Sequence, residues 1–157
     1  MKENETKTVA VNKKARFNYE ILDTLEAGII LNGPEVKSIR AGRVQIAESY
    51  VAPESGKLML INAYIAEYDA SNGGFVEQNS RRARELLLHQ KEVAKWIALV
   101  HQKGQTIIPL EMYFNRRGLI KLKIALCVGK NVRDKRETIK KREWKREQGR
   151  VMRSYNH

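Results

Sequence analysis

The sequence predicts a mainly β protein: a small closed antiparallel barrel, one short and one long helix packed on it, and a basic C-terminal tail that is disordered when free. Three observations carry this expectation. Short runs alternating apolar with polar residues recur at hairpin spacing, which favours a closed barrel over an open sheet. Two stretches change instead to helical spacing. Beyond Gly129 apolar residues thin out while cations accumulate. At 157 residues, 42% of them hydrophobic, the chain suits one domain with one core.

The first dozen or so residues are polar and expected to fray. Phe17, Tyr19 and Ile21 alternate as a half-buried strand does, and Ala27 to Leu31 resumes extended character, with Gly28 as a bend or bulge. Asn32-Gly33-Pro34 stops the strand and opens a short helix, Glu35 to Ala41, closed by Gly42. Pro at a first helical position has no N–H to lose, and Glu35 suits the positive helix end. Lys37 and Arg40 share one face of that helix, Val36 and Ile39 another.

Val44, Ile46 and Tyr50 suggest a further strand, Pro53 to Gly56 a turn, and Leu58 to Ile65 its return. Asp69 to Gly74 reads as a mobile loop with two glycines. A long helix is expected from about Arg81 to Lys103, capped by Ser80 and ended by Gly104. Its buried face would be Ala83, Leu86, Leu87, Val93, Ala94, Ile97 and Val100. The last hairpin is the clearest: Thr106 to Phe114, a turn at Asn115 to Gly118, then Leu119 to Val128. Ile120, Leu122, Ile124, Leu126 and Val128 take one face, Lys121 and Lys123 the other. Pro109, lacking an N–H, belongs at an edge or bulge. Five to six strands and two helices result.

Charge divides the chain again. The net charge is +12, from 30 Lys and Arg against 18 Asp and Glu. Gly129 to His157 holds eleven cations and four acids, so +7 falls on 29 residues and +5 on the other 128. The tail's few apolar residues make no continuous stripe, although Asp134 with Glu137 resembles a capping pair and Glu137–Lys141 is well ordered for a helix. Such a segment suits disorder alone and a helix against an anionic surface. A solvated tail that aids solubility is the plainer reading; Trp144 among cations favours stacking on bases. Charge of this sign and size points to a polyanion, most commonly nucleic acid.

Chemistry-bearing motifs are sparse. His89, His101 and His157 have no metal-like partner three or four residues away, and Cys127 sits among apolar strand residues. One cysteine excludes an internal disulfide framework and a Cys-rich zinc site. No phosphate-binding glycine loop or nucleophile elbow occurs. The expectation is a protein that is not an enzyme, with no cofactor, metal or small-molecule substrate. No apolar run approaches the ~20 residues of a membrane span, and there is no signal-peptide core, so a cytoplasmic location without membrane contact is expected.

Several strings resemble one family. Asn12-Lys13-Lys14-Ala15-Arg16-Phe17, Glu26-Ala27-Gly28-Ile29, Gly33-Pro34-Glu35-Val36-Lys37-Ser38-Ile39-Arg40-Ala41-Gly42 and Ser49-Tyr50 are similar to the N-terminal half of the bacterial SsrA-binding protein family, small protein B. Arg82 to His89, Ile124 to Lys130 and Asp134-Lys135-Arg136-Glu137 resemble its later segments, so the likeness runs from about Asn12 to Met152. It implies an oligonucleotide-binding-type barrel over residues 12–129, after a flexible 1–11 and before a 130–157 tail. That barrel would bind the tRNA-like domain of transfer-messenger RNA. With elongation factor Tu as an indirect partner, the RNA would be delivered to stalled 70S ribosomes for trans-translation. The tail would meet 16S rRNA in the decoding centre and enter the empty mRNA channel as a helix.

Residue by residue, the resemblance assigns RNA contacts to Asn12, Lys13 and Arg16, and RNA binding to Glu26. A carboxylate there accepts from base or 2′-hydroxyl donors. Leu87 matches a family leucine tied to RNA, with core packing an equal reading. Lys37 and Arg40 contact RNA or pair with Glu35. Arg84 lies in the Arg-rich segment and is carried over as an RNA contact. In the tail the matching positions are Lys130, Asp134, Lys135, Arg136, Ile139, Lys140, Arg142 and Trp144. Ser80, Glu85 and Arg133 depart from the family pattern, and Glu85 lowers the positive field beside Arg84. The alternative is a general ribosome-associated translation factor or RNA chaperone on the same barrel.

Overall fold

A computed structural model describes residues 6–69, 73–76 and 80–129. The tail reading, and part of the loop expected to be mobile, lie outside the described residues. In chain order the elements are β1 (Lys7–Val11), α1 (Ala15–Asn18), β2 (Tyr19–Ile29), α2 (Gly33–Arg40), β3 (Val44–Gln45), β4 (Tyr50–Glu54), β5 (Lys57–Ile61), β6 (Tyr64–Ile65), β7 (Glu67–Asp69), β8 (Gly74–Val76), β9 (Arg84–Leu87), α3 (Gln90–Lys103), β10 (Thr106–Phe114) and β11 (Ile120–Gly129). Seven strands form one antiparallel sheet ordered β1-β10-β11-β2-β9-β5-β4, and β4 returns to β10 through the Val51–Ile107 pair. Six strands thus close into a ring, with β1 added along β10. The mainly β, closed antiparallel architecture agrees with expectation.

The β10–β11 hairpin shows how local chemistry sets the ring. Asn115 Oδ1 accepts from the Arg117 and Leu119 N–H groups, each at 2.9 Å, while Gly118 supplies a φ of +79°. Leu122 and Ile124 point into the ring and are fully buried beside Leu58, Leu60, Ile107 and Met112. Register shifts once on β10 between Pro109 and Glu111, which is the bulge that proline's missing N–H requires. The outer side of the same strands is covered too: Ile108, Leu110, Ala125 and Cys127 pack against Ala15 of α1, with Tyr19 and Ile21.

Several expectations are corrected. Lys7–Val11 pairs with β10, so the flexible terminus expected over residues 1–11 is in part a strand. Phe17 lies in the one-turn helix α1 and is 74% exposed, rather than alternating in a strand with Tyr19. Gly28 makes no bulge; β2 pairs straight through it, and its register shift falls between Ile21 and Asp23 instead. The return from the β4–β5 turn is interrupted at Asn62, which takes a φ of +63°.

The largest correction is the long helix. Arg84–Leu87 is a strand between β2 and β5, and α3 begins only at Gln90, with the Glu92 carboxylate accepting from the His89 N–H at 3.3 Å rather than Ser80 capping it. Arg84 and Leu86 are buried while Leu87 is exposed, the period-two pattern of a strand. An arginine at an inward position concealed that period. On α3 the fully buried residue is Trp96, flanked by Val93, Ile97 and Val100, whereas Ala94 is exposed. The described residues therefore hold three helices and eleven strands, where two helices and five to six strands were expected.

Candidate nucleic-acid interface

Glu35 organises one side of the ring. Asn32 caps α2 reciprocally: its Oδ1 accepts from the Glu35 N–H at 2.9 Å, and Glu35 Oε1 accepts from the Asn32 N–H at 3.0 Å. The Glu35 carboxylate, side chain 3% exposed, also accepts from Arg82 Nε at 2.9 Å and Arg84 Nε at 2.7 Å. Burial pushes its carboxyl up, but the Arg82 hydrogen bond, the Asn32 N–H and the bond and charge of Arg84 together outweigh that and hold it below its usual value.

Arg84 is wholly buried. Beyond Glu35 its guanidinium donates to the carbonyls of Ala63, Arg82 and Ser80 at 2.9 to 3.1 Å. The RNA contact expected of Arg84 is therefore withdrawn, since its donors are spent inside the fold. Glu35 is likewise closed to Lys37 and Arg40, which settles one open alternative. Both cations are exposed on α2, and Lys37 Nζ lies 4.0 Å from the centre of the Tyr68 ring.

At the basic turn before α1, Asn12 is buried. Its Nδ2 donates to the Pro109 carbonyl at 3.0 Å and its N–H to the Leu110 carbonyl at 2.8 Å, fastening the end of β1 onto the β10 bulge. The side chain expected on RNA thus serves the fold. Lys13, Lys14, Arg16 and Phe17 remain exposed around it, a cationic turn with an aromatic ring presented to solvent.

The outer face of β10, β11 and β2 carries a second arrangement. Cross-strand register sets Glu111, Lys123 and Glu26 in one row, and Tyr113, Lys121, Gly28 and Leu87 in the next. Glu26 is exposed and accepts a hydrogen bond from the Tyr113 hydroxyl. Leu87 is 51% exposed, so its position answers the choice between core and surface in favour of surface. A groove of about 310 Å³ runs beside it, lined by Gly28, Leu87, Leu119 and Lys121 among others. Sequence reasoning found Glu26 and Leu87 but not Tyr113, which lies 87 positions from Glu26 and has no local signal.

Cys127 is fully buried, and burial pushes its thiol up to about 12. No group of His, Cys, Asp and Glu among the described residues is placed to hold a metal ion. No helix among them is long and apolar enough to cross a membrane.

Closed β ring, exposed cations and an acceptor-bearing outer face together define a small β protein of the polyanion-binding class. A family model described as SmpB protein matches residues 9–154, and the chain belongs to that family. The SsrA-binding protein of Rhodopseudomonas palustris strain BisB18 is 53% identical over 152 residues, which cover 97% of this chain and 96% of that one. The SsrA-binding protein of Chelativorans sp. strain BNC1 is 52% identical over 145 residues, 92% of each chain. A solved structure described as "tmRNA-SmpB: a journey to the center of the bacterial ribosome" contains a chain 45% identical to this one. The two superpose with a TM-score of 0.64, covering 90% of this chain and 94% of that one.

Proposed function

We propose that this protein binds the tRNA-like domain of transfer-messenger RNA and delivers it to stalled ribosomes for trans-translation, as a binding protein and not an enzyme. The observation that carries this reading is the near full-length family match, joined to a structural neighbour named for transfer-messenger RNA, this family and the ribosome. Its partners are then transfer-messenger RNA, 16S rRNA of the stalled 70S ribosome and, indirectly, elongation factor Tu. The location is cytoplasmic.

Within that reading Lys13, Arg16, Lys37 and Arg40 contact phosphates, supported by their exposure. Glu26 and Leu87 contact the RNA from the outer face of β2 and β9. Residues 12–129 form the RNA-binding domain, entered through β1. Residues 130–157 serve the decoding centre and mRNA channel through Lys130, Asp134, Lys135, Arg136, Ile139, Lys140, Arg142 and Trp144.

Filter binding of a tRNA-like-domain RNA against a random duplex at several salt concentrations tests the first half. Preference for the tRNA-like domain, with affinity falling steeply as salt rises, is expected. Equal binding of both RNAs contradicts it. Truncation after Gly129 tests the second half: RNA binding persists and peptide tagging on stalled ribosomes is lost. Loss of RNA binding would contradict the division.

A further inference from the structure

Glu26 faces Lys123 directly across β2 and β11, a pairing that ordinarily makes a surface ion pair. Among the described residues it makes none, and its polar partner is the Tyr113 hydroxyl. Tyr113 stands on β10, and β11 lies between β10 and β2. To reach Glu26, the phenol has to cross β11 between the Lys121 and Lys123 positions. Its residue is only 8% exposed, although it belongs to an outward row. Burial first, then the hydrogen bond and charge of Glu26, push the phenol well above its usual value, so at neutral pH it is a donor.

The consequence is an acceptor held in place. Glu26 Oε2 is engaged by Tyr113, and the exposed carboxylate has no second partner among the described residues. Lys121 and Lys123 stand on the strand between the two residues without an ion pair to Glu26. An acceptor with Lys123 opposite it and Lys121 one outward position along the same strand offers what one repeat of an RNA backbone requires: an acceptor for a ribose 2′-hydroxyl beside cations for the neighbouring phosphates. DNA offers the phosphates without the donor.

We propose that Tyr113 is a positioning residue that fixes Glu26 to accept from a ribose 2′-hydroxyl of the bound RNA. This rests on the reading that the outer face of β2 lies in the RNA interface. Lys121 and Lys123 supply the flanking phosphate contacts, and the Glu26–Tyr113 pair supplies discrimination between RNA and DNA.

The test uses the full chain, its Tyr113→Phe and Glu26→Gln variants and the double variant, with a tRNA-like-domain RNA in which single 2′-deoxy substitutions are scanned through the loops. Wild-type protein should lose about tenfold in affinity at one or two deoxy positions, the scale of a hydrogen bond to a charged group. Both single variants should lose a similar factor on unmodified RNA and nothing further at those positions. The double variant should be no worse than Glu26→Gln. Salt dependence should match wild type for Tyr113→Phe and flatten for Lys123→Ala, because only the lysine releases a counterion. Matching thermal midpoints for Tyr113→Phe and wild type exclude a folding cause. The proposal is overturned by wild-type affinity in Tyr113→Phe, by additive losses in the double variant, or by deoxy losses that persist unchanged in the variants. Failure of the wild-type protein to prefer the tRNA-like RNA is a different result, and it overturns the function reading as well.

Discussion

Glu35 and Arg84 lie 2.7 Å apart with both side chains buried, an ion pair that ties the first turn of α2 to β9. Each is costly to leave alone in the interior, and the surrounding carbonyls and Asn32 N–H offset the remaining desolvation. Truncating either partner to Ala should lower stability by about 3–5 kcal/mol. Glu35→Ala leaves the buried Arg84 charge without a counter-ion, whereas Arg84→Ala leaves Glu35 only Arg82. Each single change thus removes the same pair, and the double variant should cost less than the sum, with an interaction energy of at least about 1 kcal/mol. Urea unfolding of the four proteins measures it. Additive losses would show that the two side chains do not act as a unit.

The same pair sets an acid limit. Glu35 in the folded chain titrates below its ordinary value of 4.5. A group depressed on folding contributes stability that is present in full above the unfolded value and disappears as pH falls through the folded one. The stability gap between wild type and Glu35→Gln should therefore be widest near neutrality and shrink below about pH 4. Unfolding curves collected from pH 7 to pH 3 check this, and a gap that stays constant contradicts it.

Legibility followed the period of each segment. The β10–β11 hairpin was readable because Ile120, Leu122 and Ile124 alternate with Lys121 and Lys123 on β11 and a turn cluster sits between the strands. The Glu35 helix was readable from its proline and glycine. β9 was not, because its inward positions hold Arg84 and Leu86, and a charged inward residue reads as a polar break in a helix. α1 spans four residues, fewer than any helical period needs to declare itself. At the site, Glu26 and Leu87 were visible through family strings, whereas Tyr113 becomes visible only when β11 is known to lie between β10 and β2. Arg84 failed in the opposite sense: a run rich in arginine suggests surface, and nothing local shows that Glu35, 49 positions earlier, draws one arginine inside.

Cys127 should be chemically silent in the folded chain. With its thiol pushed up to about 12 and its side chain buried, the thiolate fraction at pH 8 is about one in ten thousand. Iodoacetamide at that pH should label the protein only as fast as it unfolds, and completely in denaturant. Mass spectrometry over time reads both. Rapid native labelling would require local opening of the β10–β11 edge near Thr106, whose carbonyl lies 3.3 Å from the sulfur.

Gly28 tests how closely β2 and β9 approach. A Cβ there would stand 3.3 Å from the Cβ of Leu87, its cross-strand neighbour. Alanine in a strand gains roughly 0.5–1 kcal/mol over glycine through chain entropy, whereas overpacking costs about 1–3 kcal/mol. The exposed half of Leu87 can move, but its Cβ is set by the backbone. The net expectation for Gly28→Ala is thus a loss of roughly 1 kcal/mol. Because the crowded atom is the Cβ, Leu87→Ala keeps the contact and should give no relief. Leu87→Gly removes it and should make Gly28→Ala neutral or favourable in that background. Thermal or urea unfolding of the two double variants separates the cases. Equal relief from both would place the strain in the outer Leu87 side chain rather than between the strands.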